Sequence, residues 1–161
     1  MIGSAEFPLN LERQLCEEAL AAFPRECCGL LEGVIEDTLA RVTAIHSMPN
    51  VATEPDSFEI DPAGHINLLR QLRGAGRAII GCYHSHPNGR AEPSERDRES
   101  ALEADFLWLV CAVDEKTGET RIAASVSCSR SFSPVPIKHI PGTAGAQPAS
   151  AKANRAAADG I

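Results

Sequence analysis

Aromatic residues are scarce in this chain. Phe, Trp and Tyr together make up 4% of 161 residues, with one Trp and one Tyr among them, so Leu, Ile, Val and Ala must build the core. Basic clusters are missing as well. The 15 Lys and Arg are dispersed among 22 Asp and Glu, giving a formal charge of −7. Phosphate-backbone binding is driven by clustered positive charge, so no nucleic-acid partner is expected. An acidic surface suits a neutral or basic partner instead. No apolar run approaches the roughly 20 residues that span a bilayer, which argues against a membrane partner. No CxxC pair occurs among Cys16, Cys27, Cys28, Cys82, Cys111 and Cys128, so a four-thiolate zinc site is not expected. The start, Met1 to Glu6, carries neither a basic n-region nor an apolar h-region, and a cytoplasmic location with reduced, packed thiols is the expectation.

What the chain does have is a 43% hydrophobic content over a length that suits one core. A single domain over residues 8–140 is expected, followed by a flexible Ala/Gly/Pro-rich tail over 141–161. Leu11, Leu15, Ala19 and Phe23 recur at helical spacing, which predicts a helix capped by Asn10 and stopped at Pro24. Cys27 to Val34 reads as a buried strand, and Leu39 to Ser47 as a second. A loop with Pro49, Asn50 and Pro55 leads to a brief strand over Ser57–Ile60. Asp61-Pro62 caps a helix to about Arg73, with Ile66, Leu69 and Leu72 on its apolar face. Arg77 to Tyr83 reads as a third strand. Ser94 opens a helix to about Ala104, and the nearly all-apolar Phe106–Val113 reads as a strand buried on both faces. Glu119 to Ser127 is its hairpin partner. Phe132 to Ile140 is an edge strand, since Pro134 and Pro136 disfavour a central one. Together these elements predict an α/β layered domain with a mixed β-sheet packed between helices.

The chemistry concentrates in His84-Ser85-His86-Pro87 and, shortly after, Ser94 and Asp97. Residues two apart on a strand face the same side, with Cα atoms about 6.6 Å apart. Both imidazoles can therefore turn toward one ion. Ser94 and Asp97 lie three apart, which is the spacing of a helical capping box. The same carboxylate can supply a third ligand, leaving the open coordination position of a catalytic zinc. Ser94 can cap the helix and still present its hydroxyl. A zinc with three protein ligands needs a base beside it. Glu26 enters an apolar strand and is the best placed; Glu32, Glu54 and Glu59 are the other candidates. Cys82 precedes His84 by two and can face the metal as a soft ligand, although a packed thiol is the simpler reading. His46, His65 and His139 have no partner at ligand spacing.

Pro24-Arg25-Glu26-Cys27-Cys28-Gly29-Leu30-Leu31-Glu32-Gly33, the HSHP run, and Ser94-Glu95-Arg96-Asp97 six residues after Pro87 together resemble the JAMM (MPN+) zinc metalloprotease signature. Ser57-Phe58-Glu59-Ile60-Asp61 resembles bacterial members. The resemblance covers roughly residues 8 to 140. It implies a cytidine-deaminase-like fold and one catalytic Zn2+ held by His84, His86 and Asp97. Glu26 is then the general acid/base and Ser94 the oxyanion donor. The implied substrate is the C-terminal tail of a ubiquitin-like protein. The short chain suggests the small stand-alone form, which trims a residue, extension or cysteine adduct after the Gly-Gly of a sulfur carrier. A deconjugase acting on target lysines and a non-catalytic scaffold are the alternatives. A homodimer is left open.

Overall fold

The computed structural model describes residues 1–142. The predicted tail falls almost wholly outside them. Strand β1 (Ser4–Pro8) leads directly into helix α1 (Leu9–Ala22). Strands β2 (Cys28–Glu36) and β3 (Leu39–Met48) form a hairpin. Helix α2 (Pro62–Leu72) precedes β4 (Ala78–His86), and the short α3 (Glu95–Ser100) precedes β5 (Phe106–Val113). Strands β6 (Thr120–Cys128), β7 (Ser131–Val135) and β8 (Ile137–Ile140) follow.

All eight strands join one sheet in the order β7-β6-β5-β4-β2-β3-β1-β8. It is mixed: β4 runs parallel to β5, and β1 parallel to β3 and β8, while the other pairs are antiparallel. The two edge strands, β7 and β8, are consecutive in sequence and separated by Pro136 alone. A sheet whose opposite edges are joined by one residue must curl until those edges meet. The expected strand over Phe132–Ile140 is thus two strands, split where proline removes the ladder donor. Pro136 still accepts a hydrogen bond from the Ala5 N–H at 3.0 Å.

The sheet is packed between helices. Leu11, Leu15 and Ala19 of α1 cover one face, over Phe7, Leu31, Tyr83, Leu107 and Leu109. Leu68 of α2 covers the other, over Leu30, Cys82 and Trp108. Strand β5 contributes to both clusters and is buried throughout its length after Phe106, as its continuous apolar run requires.

Residues 4–8 form a strand inside the sheet where the sequence pattern gives none, because five residues of mixed character carry no periodic signal. Three further expectations change. Asn10 does not cap α1, because the helix starts at Leu9 behind Pro8. Ser57–Ile60 is not a strand but a loop with one bridge, Asn50 to Ile60. On α2, Ile66 and Leu69 are exposed and Leu68 is the buried leucine. Gly64 lies against the Met48 sulfur, so the helix docks on its Gly64–Leu68–Leu72 side.

Gly29 opens β2 beside the site. A Cβ there would overlap the His46 carbonyl and the Tyr83 ring. That ring cannot swing aside: it is fully buried, and its hydroxyl donates to Glu18 Oε2 at 2.6 Å. Gly29→Ala should therefore cost about 3 kcal/mol through overpacking, read as a lower urea midpoint. A loss within experimental error would show that the sheet yields there.

Candidate metal centre

Strand β4 sits between β2 and β5 near the centre of the sheet. Its last residues are pinned on both sides, with His84 opposite Cys28 in β2 and opposite Val110 in β5. Alternation sends Tyr83 and Ser85 to the α1 side, and His84 and His86 to the other. Their Nε2 atoms lie 3.0 Å apart. Asp97 Oδ2 lies 3.3 Å from each. All three side chains are buried, and among the described residues they form the single cluster of three or more His, Cys, Asp or Glu groups that could hold a metal ion.

These distances fit a metal. Donors around a tetrahedral zinc with bonds of about 2.0 Å stand about 3.3 Å from one another. Two imidazole nitrogens and one carboxylate oxygen at 3.0–3.3 Å therefore already occupy three corners of such a polyhedron. Two of the three donors, His84 and Asp97, are also in the protonation state a metal needs. Burial pulls His84 below its usual pKa, so its ring is neutral. Burial works to raise Asp97, but hydrogen bonds from the two imidazoles hold it well below the carboxylate range. Burial likewise opposes protonation of His86, yet Asp97 and the Arg90 carbonyl outweigh it and raise that pKa.

Different forces aim each ligand. His86 Nδ1 donates to the Arg90 carbonyl at 2.8 Å, which leaves Nε2 free for the centre. His84 Nδ1 has no hydrogen-bond partner, and packing orients the ring instead. Phe58 stacks on it, with centroids 4.3 Å apart and planes 19° apart, and Trp108 meets it edge-on at 5.9 Å. Asp97 is held by the capping box of α3: its Oδ2 accepts from the Ser94 N–H at 2.6 Å, and its own N–H donates to Ser94 Oγ at 3.2 Å. Capping and facing the metal are thus performed by one oxygen atom.

Glu26 and Ser94 line a cavity of about 270 Å³ with Asp97, Phe58 and Arg96. Glu26 is buried, and burial raises its pKa to about 7; His86 lowers it and Asp97 raises it. The rival acids are elsewhere. Glu32 is paired with His46 and Arg77, each at 2.7 Å. Glu54 pairs with Arg96 at 2.7 Å, and Glu59 lines a neighbouring apolar cavity. Cys82 is packed in the core beside Leu30 and Trp108, its thiol pushed well above its usual pKa by burial, and is not among the clustered donors. Sequence reasoning gave no role to Asn50, Phe58 or Trp108. Of these, only Phe58 carried a signal, through the SFEID stretch.

A curled mixed sheet with this donor set at the end of an inner strand defines a JAB/MPN-type domain. The chain belongs to the prokaryotic homologs of the JAB domain, whose family model matches residues 8–127. It is similar to the desampylase of Haloferax volcanii, with 42% identity over 93 residues, 56% of this chain and 65% of that protein. It is also similar to a probable TtuB-protein conjugate cleaving protease of Thermus thermophilus, with 35% identity over 98 residues, 58% of this chain and 63% of that one. The match thus spans a little under two thirds of either relative. In fold it resembles a protein from Desulfitobacterium hafniense, with a TM-score of 0.76 at 21% identity over 85% of this chain and 93% of the other. No helix among the described residues is long and apolar enough to cross a membrane.

Two outcomes follow from the geometry. Asp97→Ala should weaken zinc binding about 100-fold or more and remove the bond its Oδ2 makes to the Ser94 N–H, the reciprocal half of the capping box, worth about 1 kcal/mol; unchanged zinc content after dialysis against a mild chelator would contradict the ligand role. The second concerns Glu26 in metal-free protein. Its folded pKa, about 7, lies above the ordinary 4.5. The folded state therefore holds the proton longer than the unfolded chain, and stability falls as pH rises between those two values. Glu26→Gln removes this loss. It should stabilise the metal-free protein by about 2 kcal/mol at pH 8 and by little at pH 4. A gain that is the same at both pH values would show that ionisation is not its source.

Proposed function

We propose that this chain is a zinc-dependent peptidase or isopeptidase. Its substrate is a ubiquitin-like protein, and the bond it cuts follows the C-terminal Gly-Gly. The carrying observation is the convergence of His84, His86 and Asp97 within 3.3 Å, with Glu26 on a cavity that Asp97 also lines. His84, His86 and Asp97 would hold one zinc. When bound, the ion supplies a Lewis acid that lowers the pKa of water to about 7.

The chain's own residues do the rest. Glu26, with its pKa raised by burial to about 7, can take a proton from the attacking water and pass it to the leaving amine. Ser94 is exposed, and its oxygen already accepts the Asp97 N–H. Its hydroxyl hydrogen remains free to donate to the oxyanion of the tetrahedral intermediate. All five side chains come from one chain, so the chemistry needs no second copy. A Gly-Gly tail is thin enough to reach a recessed centre, and an extended peptide can add beside a sheet edge.

Two reactions share this chemistry. One trims a residue, extension or cysteine adduct from a sulfur carrier, in keeping with a cytoplasmic protein. The other removes a ubiquitin-like protein from a target lysine. The name of the T. thermophilus relative, a conjugate cleaving protease, supports including the second. The scaffold reading expects gaps in the ligand set, and all four of His84, His86, Asp97 and Glu26 are present.

The test uses zinc-loaded protein and ubiquitin-like proteins ending in Gly-Gly, each carrying a linear C-terminal extension or an isopeptide-linked lysine. Intact mass should show a cut after the second glycine. Glu26→Ala should abolish the product while one zinc per chain is kept. Ser94→Ala should lower kcat about 100-fold. Near-normal kcat in the Glu26 variant would remove that residue from the mechanism, and a zinc-loaded wild type that cuts no probe would count against the hydrolase itself.

A further inference from the structure

Glu26 lies just outside β2, whose pairing with β4 begins at Cys28 opposite His84. The peptide unit joining Glu26 to Cys27 is therefore not part of the ladder, yet both of its polar atoms are bonded, each to a side chain. The Glu26 carbonyl accepts from Asn50 Nδ2 at 3.0 Å. The Cys27 N–H donates to Ser85 Oγ at 2.8 Å. Ser85 is itself fixed: it is buried, and its N–H donates to the Cys27 carbonyl at 3.1 Å. Asn50 is fixed too. Its Nδ2 also donates to the Ser57 carbonyl, and its Oδ1 accepts from the Ala52 and Glu59 N–H groups, all at 3.0 Å.

We propose that Asn50 and Ser85 are positioning residues that clamp the Glu26–Cys27 peptide from opposite sides and so aim the Glu26 carboxyl at the His84–His86–Asp97 centre. The physical need is plain. A buried carboxyl gains free energy by turning toward water, and a Glu26–Cys27 peptide unit with no partner would let it turn. Two neutral hydrogen bonds on one peptide remove that freedom without adding charge near the centre. The two clamps also have separate origins. Ser85 belongs to the strand that carries both imidazoles, so it ties Glu26 to the ligands. Asn50 belongs to the loop that carries Phe58, the ring stacked on His84, so it ties Glu26 to the support of a ligand. The catalytic consequence rests on the hydrolase reading above; the clamp itself does not.

The experiment compares wild type, Asn50→Ala, Ser85→Ala, the double variant and Ser85→Thr, which keeps the accepting hydroxyl. The probe is a Gly-Gly ubiquitin-like protein with a linear extension that wild type cuts. Each alanine variant should lose about tenfold or more in kcat, on the scale of small misplacements of a reacting group, with KM and zinc content held and the lost hydrogen bonds lowering the melting temperature without unfolding the protein at the assay temperature. The double variant should lose less than the product of the two, because both act through one peptide. Ser85→Thr should recover most of the rate. Amide hydrogen exchange at Cys27, which needs no substrate, should accelerate at least tenfold in Asn50→Ala and Ser85→Ala while Leu30 and Leu31 stay protected. Unchanged kcat, or a loss that only tracks lost zinc or lost fold, overturns the positioning role. Unchanged exchange at Cys27 overturns the clamp. If zinc-loaded wild type cuts no probe, the hydrolase reading fails on its own, and the exchange result alone then upholds or overturns the clamp.

Discussion

Two imidazole nitrogens held 3.0 Å apart, each 3.3 Å from one carboxylate oxygen, cannot be maintained by a loosely packed chain. Three polar atoms must be taken out of water together, and each must be stopped from turning back. The fold meets this constraint with rigid supports of different kinds. A strand paired on both sides spaces the histidines. A carbonyl fixes one ring and an aromatic stack fixes the other. A capping box fixes the carboxylate. The curled sheet matters for the same reason: with β7 and β8 separated by Pro136 alone, its edges are brought together, and the inner strands that carry the site are far from either edge.

The electrostatics of the centre pull in opposed directions, and the opposition is informative. Asp97 is held anionic by the two rings that face it, while His84 is held neutral by burial. These two donors are already in the state a dication needs; His86, whose pKa Asp97 and the Arg90 carbonyl raise, would release its proton on binding one. Glu26, on the same cavity, is pushed up to about 7. Two carboxyl groups of one cavity thus have their pKa values driven far apart, by imidazole hydrogen bonds in one case and by burial in the other. Such a separation suits one carboxyl to stay charged and the other to exchange protons. It also carries a cost in stability, since a buried carboxyl that prefers its proton weakens the fold above neutrality.

Sequence alone made the centre legible and left most of its supports hidden, for a physical reason. The ligands follow from periodicity. Two residues on a strand share a face, three residues at a helix start share a turn, and both rules act over short spans. The capping box and the ligand role of Asp97 stand as rivals on paper; in the structure one oxygen accepts the capping bond and also faces both imidazoles. Asn50 and Phe58 act through a loop that has no period, so their partners, Glu26 and His84, can be found only once the chain is folded. The fold was legible to a similar degree. The α1 face, the hairpin of β2 and β3, and the doubly buried β5 follow from pattern. Helix α2 misled because its docking side begins at Gly64 and His65, which do not read as apolar, whereas Ile66 and Leu69 do. Strand β1 was hidden because a parallel strand of five residues needs its neighbours, β3 and β8, before its pairing is visible.

The shared oxygen of Asp97 links metal binding to local folding. Helix α3 has six residues, well below the length at which a helix is stable by itself in water. Its start depends on the Ser94–Asp97 box, and its placement on Asp97 reaching the two imidazoles. An ion held by that carboxylate would bind the folded helix start and not the unwound one, so its binding free energy would also stabilise α3. The coupling would run both ways: fraying the Ser94 turn would withdraw the Asp97 carboxylate from the imidazoles, and losing such an ion would loosen the turn that presents Ser94. Arg96 lies on the same short helix and pairs with Glu54 at 2.7 Å. The loop that carries Asn50 and Phe58 is therefore tied to this unit as well. Glu26, the three clustered donors and Ser94 are in this sense one cooperative assembly, set at the point where a central strand hands the chain to a helix too short to stand alone.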